Sequence, residues 1–384
     1  MLIETCDSLA DVNADEWNAL GDGSNPFVCH EFLSALETNG CVAAEFGWHA
    51  FHLLLKDDKQ QLIAAAPAYL KTNSYGEFVF DWAWADAYER AGGQYYPKLI
   101  CAVPFTPATG PRLLIKPGQD AAECSAALTN AAMAIVKQQN WSGVHWLFPL
   151  EHEASTMAKK DYMLRIGCQY IWSNQNYKDF EDFLSHCTAK KRKNMRRERK
   201  RVAEQNIELH LMHGNELTEK DWKQVTGFYL DTFNRKWGTP TLNAKFFAQI
   251  GKTMGDKVIV VFATHNAQRV ACSVMLKGTD TLYGRYWGCT DDFHSLHFEA
   301  CYYQGIDYCI KHGLERFEPG AQGEHKIGRG FKPTLTWSTH YLCHEGFRDA
   351  VKQFLDQEGP MMREHCQKLH ELLPFKQTDD NPIQ

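Results

Sequence analysis

The chain has 384 residues, 44% of them hydrophobic, and a formal net charge of −6. That is enough apolar material for the cores of two or three domains, and too acidic a balance for a general nucleic-acid coat. No apolar run reaches the roughly 18 residues of a membrane span, and the opening MLIETCDSLADVNADEW is acidic where a secretory signal would be basic then apolar, so a cytoplasmic protein is expected. The 13 cysteines are scattered and never form C-x-x-C. Buried reduced thiols are expected rather than disulfides or a structural zinc site.

Asn25 followed by Pro26 reads as an N-cap with proline at the first helical position, which predicts a helix as far as Thr38, before Gly40. Residues 48–56 and 61–71 read as a hairpin turned at residues 57–60. A strand is expected over 77–84, a short helix or turn over 85–92, and a strand over 98–103. The alanine-rich segment 121–139 predicts a helix and 144–149 a strand. A second cycle follows: helix 151–164, strand 169–173, helices 177–186 and 189–203, strand 207–212, and helices 218–233 and 243–254. Strands over 257–264, 269–276 and 281–287 form a meander, and a final helix is expected over 347–373. The two halves share an order of elements, which predicts two copies of one α/β fold.

Two stretches stand out chemically. Residues 190–201 hold nine Lys or Arg against one Glu, so this segment is +8 and the remainder of the chain −14. It reads as a helix on which only Met195 and Val202 are apolar, and its crowded cations call for an anionic partner such as the phosphates of a nucleotide or RNA. Its thin apolar seam argues against a membrane surface, and DNA is not an expected partner.

The second stretch, 283–333, reads as strand, helix ended by Gly313, return strand, and then the polar loop GAQGEHKIGRGFKP. The loop crowds Gln322, Glu324, His325, Lys326, Arg329 and Lys332 among four glycines, a mixture that a plain connection does not need. It superficially resembles a phosphate-binding Walker loop, but Arg329 stands where lysine should, no Ser or Thr follows, and Pro333 stops the helix that should begin there. No G-x-S-x-G, H-E-x-x-H or dinucleotide glycine motif occurs, and His294 and His297 lack a third ligand for a metal.

The segments KKRKNMRRERKRV, YGRYWG and FEPGAQGEHKIGRGFKP, together with NPFVCHEFLSALE, FDWAWADAYERAGGQYYPKL and VPFTPATGPRLL, resemble the FemAB-like family of N-acyltransferases linked to peptidoglycan biosynthesis. The resemblance covers nearly the whole chain. It implies an α/β (α+β) class of two tandem acetyltransferase-type (GNAT-like) domains, with mixed, mostly antiparallel central sheets flanked by helices. The first would span 1–150, joined by the C-terminal helix 345–374, and help bind the acceptor; the second, 151–344, would hold the transfer site. The donor implied is aminoacyl-tRNA or an acyl-coenzyme A, used as substrate with no resident cofactor, and the acceptor is an amine. Asp291 and Asp292, where a GNAT enzyme places its pyrophosphate loop, count against coenzyme A bound in the usual way. A non-catalytic RNA- or nucleotide-binding protein that keeps the fold is the alternative.

Acyl transfer to an amine needs a base, donors for the developing oxyanion, and precise placement. Glu318, Glu324 and His325 are the candidate bases. Gln322, Lys326, Arg329 or the N–H groups of the loop are candidate donors, and Lys332 and the alternating strand residues Arg285, Tyr286 and Trp287 are further candidates for binding substrate. Asp81, Trp84, Tyr96 and Arg112 are the candidate acceptor wall in the first half. Lys190, Lys191, Arg192, Lys193, Arg196 and Arg197 are the candidate grip on phosphate or tRNA.

Overall fold

The computed structural model describes residues 1–236, 238–321 and 323–376. The chain forms two compact units. The first takes Met1–Cys168, Pro240–Gly255 and Leu335–Arg363; the second takes Gln169–Thr239, Asp256–Thr334 and the described chain from Glu364 onward.

The first unit holds an antiparallel sheet of strands Leu2–Cys6, His52–Lys56, Leu62–Ala66 and Leu114–Ile115, in that spatial order. Its other strands run from Trp48–Ala50 through Ala68–Lys71 and Lys98–Cys101 to Gly143–Leu147, which pairs with residues 338–342. The expected hairpin is therefore shared by both sets of strands, because each arm is interrupted. Pro67 has no N–H for a ladder, and Phe51 donates its N–H to Ala68 O at 2.9 Å across the break. Helix Ala121–Gln138 starts at Asp120, whose carboxylate accepts from the N–H groups of Ala122 and Glu123. It buries Leu128, Ala132 and Val136 against Leu53, Ile63, Leu99 and Trp146.

Several local expectations are corrected here. The strand expected over 77–84 does not form: Phe78 takes φ +62°, outside the extended region, and helix Trp82–Arg90 begins after Asp81. The helix expected from Pro26 begins at His30, since Asn25 accepts from Phe27 N–H in a tight turn instead of capping a helix. The helix expected over 151–164 stops at Ala158, and by Met163 the chain is already strand.

In the second unit, Ile207–His213, Val258–His265, Gln268–Lys277 and Thr281–Cys289 form an antiparallel meander. Strand Thr281–Cys289 then pairs in parallel with Arg316–Glu318, but only through residues 281–283. Opposite its other neighbour the register slips: Val274 faces Tyr286 and Met275 faces Gly284, so Arg285 is the extra residue of a bulge and breaks the expected alternation. The helix after this strand carries a π-turn at Glu299–Tyr303 before continuing as Gln304–His312, ended by Gly313 at φ +65°. Tyr302, Tyr303, Ile306 and Cys309 bury its apolar stripe against Phe180, Phe183, Phe317 and Phe331. Gly305 is required there, because a Cβ would lie 2.3 Å from the Phe317 ring. Mixed, mostly antiparallel sheets flanked by helices are the expected fold class.

Candidate functional site

The basic segment is helix Ala189–Glu204. Met195 and Val202 anchor it, and Lys191, Asn194 and Glu198, at helical spacing on the same side as Met195, face a cavity of about 680 Å³. The opposite wall is the 3-10 turn Glu324–Arg329, formed inside what reads in the sequence as an irregular loop, and residues 371–373 close the cavity. The two stretches that stand out in the sequence thus meet in one cleft.

Glu198, the one acid in the basic run, is the hub. Its carboxylate accepts from Arg329 Nη2 at 2.8 Å and Nε at 3.2 Å, and from the Tyr303 hydroxyl. Arg329 also donates to His325 O at 2.7 Å and lies 3.4 Å over the Phe298 ring. At the next position along the helix, Arg199 pairs with Glu299 at 3.1 Å and Asp307 at 2.8 Å, tying the basic helix to the π-turn. Burial raises the Glu299 carboxyl above its ordinary range against the pull of Arg199.

His325 sits at the cleft wall with Nε2 2.8 Å from the Tyr302 hydroxyl. Its ring leans on Gly323, whose φ is +105° and where a Cβ would fall 2.6 Å from His325 Cε1. Burial, then the charges of Arg329 and Lys326, lower its pKa, so the ring is neutral at pH 7. Trp287 reaches this group through His297, whose ring centroid is 5.5 Å from Trp287 and 6.2 Å from His325.

A family model for FemAB-like proteins, described as peptidoglycan biosynthesis/recognition, matches residues 8–377. The chain belongs to the FemAB-like family. No curated protein matches it. Among solved structures it is similar to FemX, at 10% identity over 91% of this chain and 100% of that one, with a TM-score of 0.53. It is also similar to the C-terminal domain assigned to a lysylphosphatidylglycerol synthetase of Agrobacterium fabrum (9% identity, 90% and 96% covered, TM-score 0.55). A third is L-PGS from Bacillus licheniformis (9% identity, 87% and 98% covered, TM-score 0.51). At such identities the likeness is one of fold.

The other expected site residues of this FemAB-like chain separate into three groups. Lys326 is 2% exposed, and its ammonium donates to Gly320 O at 2.7 Å and Ala321 O at 3.1 Å. It holds the loop together from inside and is not free to meet a substrate, a correction to its expected donor role; burial pushes its pKa down to about 8. Glu318, Arg285, Tyr286 and Lys332 are half-buried and do not line the cleft. Glu318 ends its strand beside Tyr283, and Tyr286 packs 5.6 Å from the Tyr229 ring. Gln322 lies outside the described residues.

On the basic helix, Arg196 pairs with Glu181 and Arg192 donates to Cys187 O at 3.3 Å. Among the described residues no carboxylate pairs with Lys190, Lys191, Lys193 or Arg197. Their charge is available to a partner.

In the first unit, most of the expected acceptor wall is interior. Arg112 is 1% exposed and its guanidinium donates to the carbonyls of Leu147, Gly110, Pro111 and Ala108, so it braces a loop and cannot meet an acceptor. Asp81 is held by Lys98 and by the Tyr95 hydroxyl at 2.7 Å. Trp84 is buried under Arg165, whose guanidinium lies 5.0 Å from the ring centroid. Only Tyr96 is half-exposed, with its hydroxyl 2.8 Å from Ser74 Oγ.

Glu198, Arg199, Tyr302 and Tyr303 are the site residues that sequence reasoning missed. A helical wheel placing Glu198 beside Met195 and Lys191 was the available signal for the first of them.

Proposed function

We propose that this chain is an N-acyltransferase that moves an acyl or aminoacyl group from an activated donor to an amine, with aminoacyl-tRNA as donor and a peptidoglycan precursor as acceptor. The observation that carries the reading is the cleft in which Lys191 and Glu198 of helix Ala189–Glu204 face the turn bearing Glu324, His325 and Arg329. Four cations without acidic partners among the described residues suit a phosphate backbone. Membership of a peptidoglycan biosynthesis/recognition family supports the acceptor class. The exposed Asp291 and Asp292 favour tRNA over coenzyme A, because they would repel a pyrophosphate at the start of the following helix.

In the transfer, the neutral amine attacks the acyl carbon of the ester, forming a C–N bond. The carbonyl electron pair moves to oxygen, then returns as the C–O bond to the ribose breaks. The ribose oxygen leaves with the electron pair of the broken C–O bond and takes up a proton, while the amine loses one. Of the three candidate bases, Glu324 and His325 line the cleft and Glu318 does not.

The test supplies purified protein with a set of charged tRNAs and a precursor peptide bearing a free side-chain amine, and follows the new amide by mass spectrometry. Amide formation that falls at least about a hundredfold in Glu324→Gln is the expected result. Salt-sensitive tRNA binding with no amide from any aminoacyl-tRNA or acyl-coenzyme A would instead make this an RNA-binding protein.

A further inference from the structure

The hydrogen bond between Tyr302 and His325 can be read in two directions, and the surroundings choose between them. Tyr302 is 3% exposed and its hydroxyl has no other partner among the described residues. If His325 Nε2 carried the proton, the phenolic hydrogen would be left inside the protein with nothing to accept it. Burial also raises the Tyr302 pKa, so the hydroxyl keeps its proton and can donate it. Nε2 is then the acceptor, and in a neutral imidazole the proton resides on Nδ1. That nitrogen has no partner among the described residues, and His325 itself is exposed at the cleft.

The ring has little freedom to turn. Phe298 and Tyr302 lie 5.7 and 5.8 Å from its centroid, and the Gly323 backbone runs close enough to the Cε1 edge that a Cβ there would fall 2.6 Å from it.

We propose that His325 serves the cleft as a hydrogen-bond donor through Nδ1–H rather than as the base, and that Tyr302 is the positioning residue that fixes this tautomer. The catalytic part of this proposal rests on the transfer reading above. As the amine attacks, the acyl oxygen gains the carbonyl electron pair, and Nδ1–H holds it without giving up its proton. When the ester C–O bond breaks and the carbonyl re-forms, the imidazole is unchanged. The amine proton goes to Glu324, the other candidate base that lines the cleft, which passes it to the departing ribose oxygen.

Side-chain 15N NMR of histidine-labelled protein tests the assignment without substrate. The His325 signals, identified by their loss in His325→Gln, are expected to show a protonated Nδ1 and an unprotonated Nε2. Tyr302→Phe should move population to the Nε2–H form, and should lower kcat about tenfold with KM unchanged. Gly323→Ala, whose Cβ meets the ring, should broaden or shift the same signals. A protonated Nε2 in the wild-type spectrum overturns the assignment, and an unchanged spectrum in Tyr302→Phe removes the positioning role. A protonated Nδ1 with no transfer from any donor leaves the tautomer standing and overturns the transfer reading and the catalytic role with it.

Discussion

Each unit contains a knot of paired charge, and the two knots are built differently. In the first unit Lys98 is fully enclosed with Glu77 at 2.9 Å, with Asp81, and with Ser74 Oγ at 2.9 Å, while Tyr95 donates to Asp81. Burial pushes Glu77 up to about 8 in spite of Lys98, whereas on Asp81 burial is outweighed by the Lys98 charge, the neighbouring His145 and the hydrogen bonds from Lys98 and Ser74 acting together, which hold that carboxyl well below its usual range. One carboxylate balances one ammonium. In the second unit Glu198 gathers Arg329 and Tyr303 in the same way, but at the wall of a cleft and on a helix whose other cations include four without acidic partners among the described residues. Ion pairing that closes on itself away from water fixes a fold. Charge left open beside a cavity is what a ligand can use.

Removing the hub of the closed knot should have the largest effect. Lys98→Ala leaves Asp81 and Glu77 buried without their cation, and should cost about 3–5 kcal/mol in urea unfolding. A loss below about 1 kcal/mol would show that the knot is wetter than its burial implies.

The histidines beside this knot sharpen the comparison through pH. His145 and His340 are each 1% exposed and share a hydrogen bond of 2.7 Å between their Nδ1 atoms. Burial, then the Lys98 charge, pushes His145 down to about 3, and burial with His145 as neighbour lowers His340 well below its ordinary value. The unfolded chain therefore takes up protons near pH 6.5 that the folded chain refuses, so stability falls as pH drops through that range. Between pH 7 and 5 the loss is about 2 kcal/mol per histidine. Glu77 works in the opposite sense, since its folded pKa is raised and acidification favours the folded form. The histidine contribution is accordingly read as the difference between wild type and a His145→Leu/His340→Leu variant over that interval. Parallel pH profiles for the two proteins would mean that the folded pair takes up protons as readily as the unfolded chain does, so that burial does not exclude the charge.

The same contrast explains what was legible in the sequence. The meander of the second unit is a local matter: the near-continuous apolar runs in 257–264 and 269–276 needed no knowledge of partners, and the strands lie within a residue or two of expectation. Gly313 stopped its helix for a reason visible in one residue. Residues 77–84 look like a strand because their aromatics favour one, yet Lys98 draws Glu77 and Asp81 inward, while Phe80 and Trp82 remain exposed. No local pattern contains that competition. The site was half visible for the same reason. Crowded polar residues marked the 320–333 loop and the basic helix, but polarity does not say where a donor points. Lys326 and Arg112 turn to backbone carbonyls, while Glu198 reaches partners 105 and 131 residues away.

The smallest expected effect on stability is the one that bears most on function. Replacing Lys190, Lys191, Lys193 and Arg197 together by glutamine removes no ion pair to a described carboxylate and relieves repulsion along one helix. The unfolding free energy should therefore stay within about 0.5 kcal/mol of wild type. Binding should change far more. Each phosphate that the variant no longer neutralises should lower the slope of log affinity against log salt by about 0.7 for single-stranded RNA, so four such phosphates would flatten it by nearly 3. The two readouts need to be taken on the same preparation, because a variant that unfolds would also lose affinity. An intact, equally stable variant with an unchanged salt slope would mean that open charge on this helix serves solubility alone, and that the cleft meets its donor through Arg329 and His325 without the helix beside them.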